Sequence, residues 1–421
     1  MILIPIRICG MGKSDEVLTT ETCIVGAGPQ GLAAALHLKQ IDPVADVTVI
    51  DHSDEWLASW NQQFERAEIN TLRSPIVHHP SPNPYALTDF VTRNDLSRSG
   101  LPYDPPTTEA FSAFCTEIIA EADLAPPLPA IPESLRSDHK SVELRTSVGI
   151  IRAENLIIAT NPHQRVIPQW TWDLIGHQAG LLEHALDVNL PGMPELSGQR
   201  IAIIGGGLTA AHLARNAALK GATATIIARR PLQIRDFDTE PGWLGPKYLN
   251  NYQAESDAGQ RIQTAKAARN GGSIPAWMHD SLTSPTKGGS IKILDSTEVL
   301  SAHTTSPKGS VLHLNINEKI YSDQVWLATG TQSTFDTVRW LQPILDDIPI
   351  IDGFPLVDQS LRLGPHPIFV MGRAATFALG PAAGNLWGAR HAARRITTAI
   401  TGIELGADGR VHSSKPRNIT S

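Results

Sequence analysis

Cysteine is scarce: Cys9, Cys23 and Cys115 are the only three in 421 residues. They form no Cys-x-x-Cys pair and no ligand cluster. That excludes a disulfide framework and a zinc site, and argues against dithiol chemistry. No metal site is expected. Long apolar runs are missing too; none reaches the roughly 18 residues of a membrane span. The apolar start Met1–Ile6 is too short and wrongly flanked for a signal peptide. Residues 1–18 therefore read as a loose leader, and the cytoplasm as the location. Positive charge is not in excess: 35 Lys and Arg against 42 Asp and Glu leave a net charge of -7. There is no basic footprint for nucleic acid, and the balance favours a soluble protein. At 41% hydrophobic and 18% charged, wholesale disorder is excluded as well.

Glycine and proline are plentiful, at 33 and 31, so many turns and long loops are expected. The length suits two or three domains. The chain is organised around Thr22-Cys23-Ile24-Val25-Gly26-Ala27-Gly28-Pro29-Gln30-Gly31. A short apolar run ends in Gly-x-Gly-x-x-Gly, and a helix-forming run follows. Gly26 permits the tight turn, Gly28 lets backbone approach a pyrophosphate, and Gly31 lets helix and strand pack closely. The start of the helix, at Pro29 and Gln30, offers free N–H groups and the positive end of its dipole. The strand Val47 to Ile50 then ends in Asp51, whose carboxylate suits ribose hydroxyls.

A second unit repeats the pattern. Arg200 to Ile204 leads into Gly205-Gly206-Gly207-Leu208-Thr209-Ala210, the Gly-x-Gly-x-x-Ala form. After the helix and Gly221, the strand Thr223 to Ala228 ends in Arg229-Arg230 rather than in an acid. An acid would repel a 2′-phosphate, whereas guanidinium binds one bidentately. The pair is thus either a 2′-phosphate clamp or a solvated basic surface, and its position at the ribose end favours the clamp. The assignment is FAD at the first unit and NADPH at the second. Two strands end alike, at Ala159-Thr160 and at Ala328-Thr329-Gly330; small residues there let backbone pass close to a cofactor. Near the end, Pro367 to Gly372 reads as a buried strand. Leu379-Gly380-Pro381-Ala382-Ala383-Gly384-Asn385-Leu386 opens a last helix reaching about Ile400. Its start suits a flavin edge that becomes anionic on reduction. Thr329, Gly330, Gly372, Gly380, Asn385 and Leu386 are accordingly expected on FAD.

Between the units, residues 52–140 form a loop-rich insertion with one clear helix at Thr107 to Ala120. Residues 121–136 read as a Pro-rich connection, and 142–151 as a hairpin. Trp60 is expected to pack on the flavin side. His78 and His79 are either pocket-lining or structural, and His184 stands between the same two readings near the nicotinamide. Arg73 is either an anchor for an anionic substrate or the partner of a nearby acid.

The two fingerprints and the two Ala-Thr strand ends resemble the flavoproteins with two dinucleotide-binding domains. Within these, the chain is similar to class B flavin-dependent monooxygenases, nearest the ornithine and lysine N-hydroxylases. Trp60 through Val77, Pro82 to Phe90, Glu183-His184 and the Gly-rich start of the last helix carry the likeness. The group has a substrate-contacting lysine where this chain has Arg73. The resemblance implies an α/β fold of two Rossmann-like domains, the NADPH domain inserted in the FAD domain. The expected spans are a leader at 1–18, FAD at 19–195 and 320–402, NADPH at 196–319 and a polar tail at 403–421. It also implies an enzyme that passes one oxygen atom of O2 to a small nucleophilic amine or sulfur substrate through a C4a-hydroperoxyflavin. The residues leave two alternatives open: an NADPH-dependent reductase of a quinone, ferredoxin or other small acceptor, and a redox-sensing flavoprotein. The oligomeric state, a homo-oligomer included, is also left open.

Overall fold

The computed structural model describes residues 17–175, 180–284, 290–306, 309–406 and 408–411. Most of the expected leader and the last ten residues lie outside these.

The first glycine turn hangs from a seven-stranded sheet. Val17–Val25 is its central strand, parallel to Val47–Asp51 on one side and to Gly149–Ile158 on the other. Val17 already pairs with Ile150, so the strand starts inside the expected leader. Gly149–Ile158 is long enough to serve two neighbours. Its first half pairs antiparallel with Val142–Thr146, and its second half pairs parallel with Ile368–Val370. Part of the expected Pro-rich connection is also a strand: Pro132–Ser137 closes that hairpin edge and buries Leu135 completely. Pro132 is tolerated because it stands first in an edge strand. The helices Pro29–Ile41 and Leu386–Thr401 cover one face, packing Ala33, Ala34 and Leu38 with Ala389, Ala392 and Ile396 in one core.

The second sheet is fully parallel, in the order Ser290–Leu294, Thr223–Ile227, Arg200–Ile204, Gln324–Leu327, Leu182–His184. This corrects the expected boundaries. Gln324–Leu327 was placed with the first unit, but it pairs with Arg200–Ile204, and Val325, Trp326 and Leu327 are buried in the second unit's cores. Leu182–His184 likewise joins this sheet, so the second unit begins before 196. Two passes of chain join the units as a small antiparallel ribbon, His163–Arg165 going out and Thr331–Ser333 coming back.

The insertion folds as three helices, Ala58–Arg66, Ala86–Arg93 and Thr108–Glu121. Thr107 caps the third, its hydroxyl accepting from the Ala110 N–H at 3.1 Å. The crossover between Thr223–Ile227 and Ser290–Leu294 also holds three helices, Pro246–Ala254, Ala258–Arg269 and Ala276–Thr283. The first two dock on the other unit. Tyr252 donates to the Thr376 carbonyl and Gln253 to that of Ala378, both at 2.9 Å. Arg261 donates to the Phe377 carbonyl, and Arg269 to that of Pro381 at 2.9 Å. The expected loose tail is packed where it is described. Leu405 is 1% exposed and bridges to Val411, and Gly409, at φ +77°, sits against the Pro82 backbone.

Candidate active site

Both glycine turns open into one cleft of about 1540 Å³, at the carboxyl ends of the two parallel sheets. In open α/β sheets that is where ligands bind. The volume exceeds the range of about 300–1,000 Å³ typical of one drug-sized ligand.

At the first turn Gly26 has φ +110° and lies against Ala159-Thr160. A Cβ on Gly31 would stand 1.8 Å from the Gly26 carbonyl oxygen, so helix and strand meet backbone to backbone. Gly28 caps the helix with Pro29 behind it, and a Cβ there would have nothing within 4 Å. That open space over a helix start fits a pyrophosphate. Asp51 lines the cleft, its Oδ2 accepting the Ala27 N–H at 2.7 Å. Gln30 ties the turn to the far end of the chain. Its Oε1 accepts the Gly372 N–H at 3.2 Å, and its Nε2 donates to the Asn385 carbonyl at 3.4 Å. Asn385 and Leu386 line the cleft as expected sites, and so does Trp60, which packs on Phe64 and Phe111. Gly372 (φ +66°) supports this corner through Gln30 without lining the cleft. Gly380 does not face the cleft; a Cβ there would meet Leu249 at 2.9 Å, so its role is packing against the docked crossover helix.

The second turn repeats the geometry. Gly205 has φ +140°, and its Cβ would stand 2.3 Å from the Ala328 carbonyl oxygen. Gly207 caps the helix Leu208–Leu219, Leu208 and Thr209 line the cleft, and Ala210 is buried in the third-glycine position. One difference stands out: the space over Gly207 is narrowed by Gly272, whose Cα would lie 3.3 Å from a Cβ on Gly207. Arg229 and Arg230 are exposed on the cleft rim, and Arg230 donates to Asn270 Oδ1 at 3.1 Å. Thr329 and Gly330, expected on FAD, stand beside this second turn. They follow the same buried strand, and the Thr329 hydroxyl donates to the Val166 carbonyl at 2.5 Å. Thr160 holds the corresponding place at the first turn. The repeat of Ala-Thr after each strand was the signal for it.

The four substrate-side candidates separate. His184 is buried, its Nε2 3.2 Å from the Gly330 carbonyl, and its Nδ1 accepts the Leu186 N–H at 3.3 Å. Both nitrogens are used, so it is a neutral structural histidine. His79 is fully buried against Phe114, 3.1 Å from the Pro84 carbonyl; burial pushes it down to about 3. Neither lines the cleft. His78 does, and burial together with Arg390 lowers it to about 4. Arg73 lines the cleft but spends four of its five N–H groups on protein. Nε donates to the Asp236 carbonyl (2.9 Å) and Nη1 to that of Ser273 (3.1 Å). Nη2 donates to the Arg235 carbonyl (2.6 Å) and to the Ser273 hydroxyl (2.9 Å). It therefore fastens the insertion to the second unit.

Sequence reasoning missed Asp238, which joins the units at the cleft. It pairs with Arg269 at 2.7 Å and accepts from Asn385 Nδ2 at 3.1 Å. Arg373, beside it, is half-buried and donates to the Thr331 hydroxyl at 3.1 Å. Both described cysteines are buried and free.

Solved structures share this fold. The ornithine N-hydroxylase of Kutzneria sp. 744, with reduced FAD, NADP+ and L-ornithine, is 16% identical, with TM-score 0.73 over 91% of this chain and 99% of its own. The FAD-bound cadaverine monooxygenase of Erwinia amylovora is 15% identical, with TM-score 0.72 over 96% and 98%. The bacillithiol disulfide reductase of Staphylococcus aureus is 15% identical, with TM-score 0.60 over 91% and 99%. No curated protein matches by sequence. Residues 23–270, which carry both glycine turns, match the family described as pyridine nucleotide-disulphide oxidoreductase. With two glycine turns facing one cleft and that match across more than half its length, the chain belongs to the pyridine nucleotide-disulphide oxidoreductase family.

Proposed function

We propose that the chain is an FAD- and NADPH-dependent monooxygenase acting on a small nucleophilic amine or sulfur compound. The observation that carries this reading is the shared cleft, with an acid at the ribose end of one turn and two arginines at the other. Gly28, Pro29 and the helix start hold the FAD pyrophosphate, and Asp51 its ribose. Gly207, Leu208 and Thr209 take the NADPH pyrophosphate, and Arg229 and Arg230 its 2′-phosphate. Asn385 and Leu386 serve the flavin. When bound, FAD reduced by NADPH activates O2 and supplies one oxygen atom to a nitrogen or sulfur nucleophile. The chain binds, orients and excludes water. Trp60, Leu386 and Trp387 provide apolar walls, and His78 stays uncharged at neutral pH. Disulfide reduction has less support, because the described cysteines Cys23 and Cys115 are buried and burial raises both thiols, Cys23 to about 12.

The test is to reduce the FAD-loaded protein anaerobically with NADPH, then mix it with oxygenated buffer while recording flavin spectra. A transient distinct from both the reduced and the oxidised flavin, and a product one oxygen atom heavier than its substrate, are expected. Immediate reoxidation with rapid quinone turnover would replace the proposal with a reductase.

A further inference from the structure

We propose that the substrate end of the cleft takes an uncharged, apolar nucleophile, an arylamine or a thioether, rather than an amino acid or a diamine. The inference rests on the monooxygenase reading above. Away from the two turns and their ribose ends, the residues lining the cleft include Pro75 and His78 of the insertion, Thr239 and Leu244 of the crossover, and Trp387 of the last helix. Leu244 and Trp387 belong to one apolar cluster with Trp243, Leu249 and Tyr252. One turn beyond Trp387, His391 packs on it with ring centroids 4.1 Å apart.

The charges nearby are already engaged. Arg73 is held by three backbone carbonyls and a hydroxyl. Both carboxylate oxygens of Asp238 are taken, by Arg269 and Asn385. Arg269 also bonds the Pro381 carbonyl, and Arg373 bonds Thr331. The carboxylates lining the whole cleft are Asp51, Asp238, Glu298 and Asp352. Asp51 holds the first turn and Asp352 pairs with Lys266, while Glu298 follows Thr297, whose N–H bonds the Ala228 carbonyl just before the arginine pair at the second ribose end. None is left for an ammonium at this end. Arg390, on the same helix as Trp387, donates to the Val77 carbonyl and pairs with no carboxylate among the described residues. It adds positive potential. His78 and His391 are both lowered, by burial first and then by Arg390, with Arg395 and Arg394 acting further on His391. An ammonium entering here meets the same two penalties, desolvation and like charge. An arylamine or thioether is uncharged at neutral pH and keeps its lone pair free.

The step balances. NADPH gives two electrons, the O–O bond breaks, and one oxygen atom forms the N–O bond of a hydroxylamine or the S–O bond of a sulfoxide. The other oxygen leaves as water with the NADPH hydride-derived hydrogen and one proton from solvent.

The experiment is calorimetric titration of the oxidised, FAD-loaded protein with aniline, thioanisole, cadaverine and L-ornithine. Aniline and thioanisole are expected to bind at least about tenfold more tightly than the charged probes, a gap of about 1.4 kcal/mol. Leu244→Glu, which puts a carboxylate in the apolar wall, should reverse the order, and Leu244→Met should preserve it. Tighter binding of cadaverine or ornithine to the parent protein, or no binding of either aryl probe, would overturn the inference. Failure of NADPH to reduce the flavin would instead sink the monooxygenase reading, and the titration, which needs no NADPH, would stand by itself.

Discussion

Two glycines within six residues of the first strand should differ in how much stability the same methyl group costs. In Gly31→Ala the new Cβ would stand 1.8 Å from the Gly26 carbonyl oxygen, where carbon–oxygen contacts normally begin at roughly 3.3 Å. The helix must retreat by roughly 1.5 Å to relieve that overlap. Backbone cannot yield as a flexible side chain does, so the cost falls at or above the upper end of overpacking, about 3 kcal/mol. For a unit of 150–250 residues that lowers Tm by roughly 6–12 °C. In Gly28→Ala the Cβ meets nothing within 4 Å, and φ -74°, ψ -174° is open to any residue. The fold loses only the glycine's advantage as a cap, up to about 1 kcal/mol, or roughly 2–4 °C. The methyl nevertheless occupies the space assigned to the pyrophosphate. Gly31→Ala should therefore lose both stability and flavin, while Gly28→Ala should lose flavin and no more than roughly 2–4 °C of Tm. The assays are the ratio of flavin to protein absorbance after purification and thermal unfolding of the flavin-free protein. An unchanged Tm in Gly31→Ala, or full flavin loading in Gly28→Ala, would refute the reasoning.

Replacing Arg229 and Arg230 together with Ser should cut the preference for NADPH over NADH by roughly 10–100-fold, the worth of one or two charged hydrogen bonds; an unchanged ratio of the two Kd values would count against the clamp. Arg73→Ala leaves the carbonyls of Arg235, Asp236 and Ser273 without their donor and should destabilise the protein by roughly 2–4 kcal/mol, read as a lower unfolding midpoint. Wild-type stability in that variant would show that water replaces the guanidinium. Burial lowers His37 and His212 to about 4. Between pH 6.5 and 4 the unfolded chain binds protons that the folded one refuses, so stability is full above 6.5 and falls as the pH drops towards 4. His37→Gln retains a donor for the Ala33 carbonyl, which lies 2.7 Å from the native Nδ1, and should flatten that fall; an identical slope would remove His37 from the account.

What the sequence announced, and what it hid, follows from which atoms make each contact. Gly31 and Gly205 were legible because a Cβ at those places collides with backbone, and Gly26 because its φ of +110° favours glycine, so residue type itself records the geometry. Arg229 and Arg230 drew attention because they end the strand of a glycine-turn unit, and they lie exposed on the cleft rim. Arg73 was not legible, because three of its four partner groups are backbone carbonyls, lying 162 to 200 positions away, and a carbonyl carries no residue identity. His79 and His184 stood between two readings for a related reason: an imidazole that satisfies a buried carbonyl looks the same in sequence as one that shuttles protons. The misplaced boundary at Gln324–Leu327 has another cause. An apolar strand reveals that it is buried without revealing which sheet receives it, and only pairing with Arg200–Ile204 decided the matter. Asp238 was hidden because its partners, Arg269 and Asn385, come from a helix and a turn that only the folded chain brings together.

The crossover helices Pro246–Ala254 and Ala258–Arg269 belong by chain to the second unit and by contact to the first. Four side chains from them grip the carbonyls of Thr376, Phe377, Ala378 and Pro381. At about 0.5–1.5 kcal/mol each, these bonds resist a swivel of one sheet against the other, and the ribbon of His163–Arg165 and Thr331–Ser333 resists it from the opposite side. A nucleotide that enters and leaves this cleft therefore does so past a fixed frame. The give must come from short pieces at the rim, such as the Asn270–Gly272 turn that leans on Gly207. Exchange of the nicotinamide cofactor is then expected to depend on these few residues of loop, and stopped-flow binding of NADPH to a Gly272→Ala variant would read it.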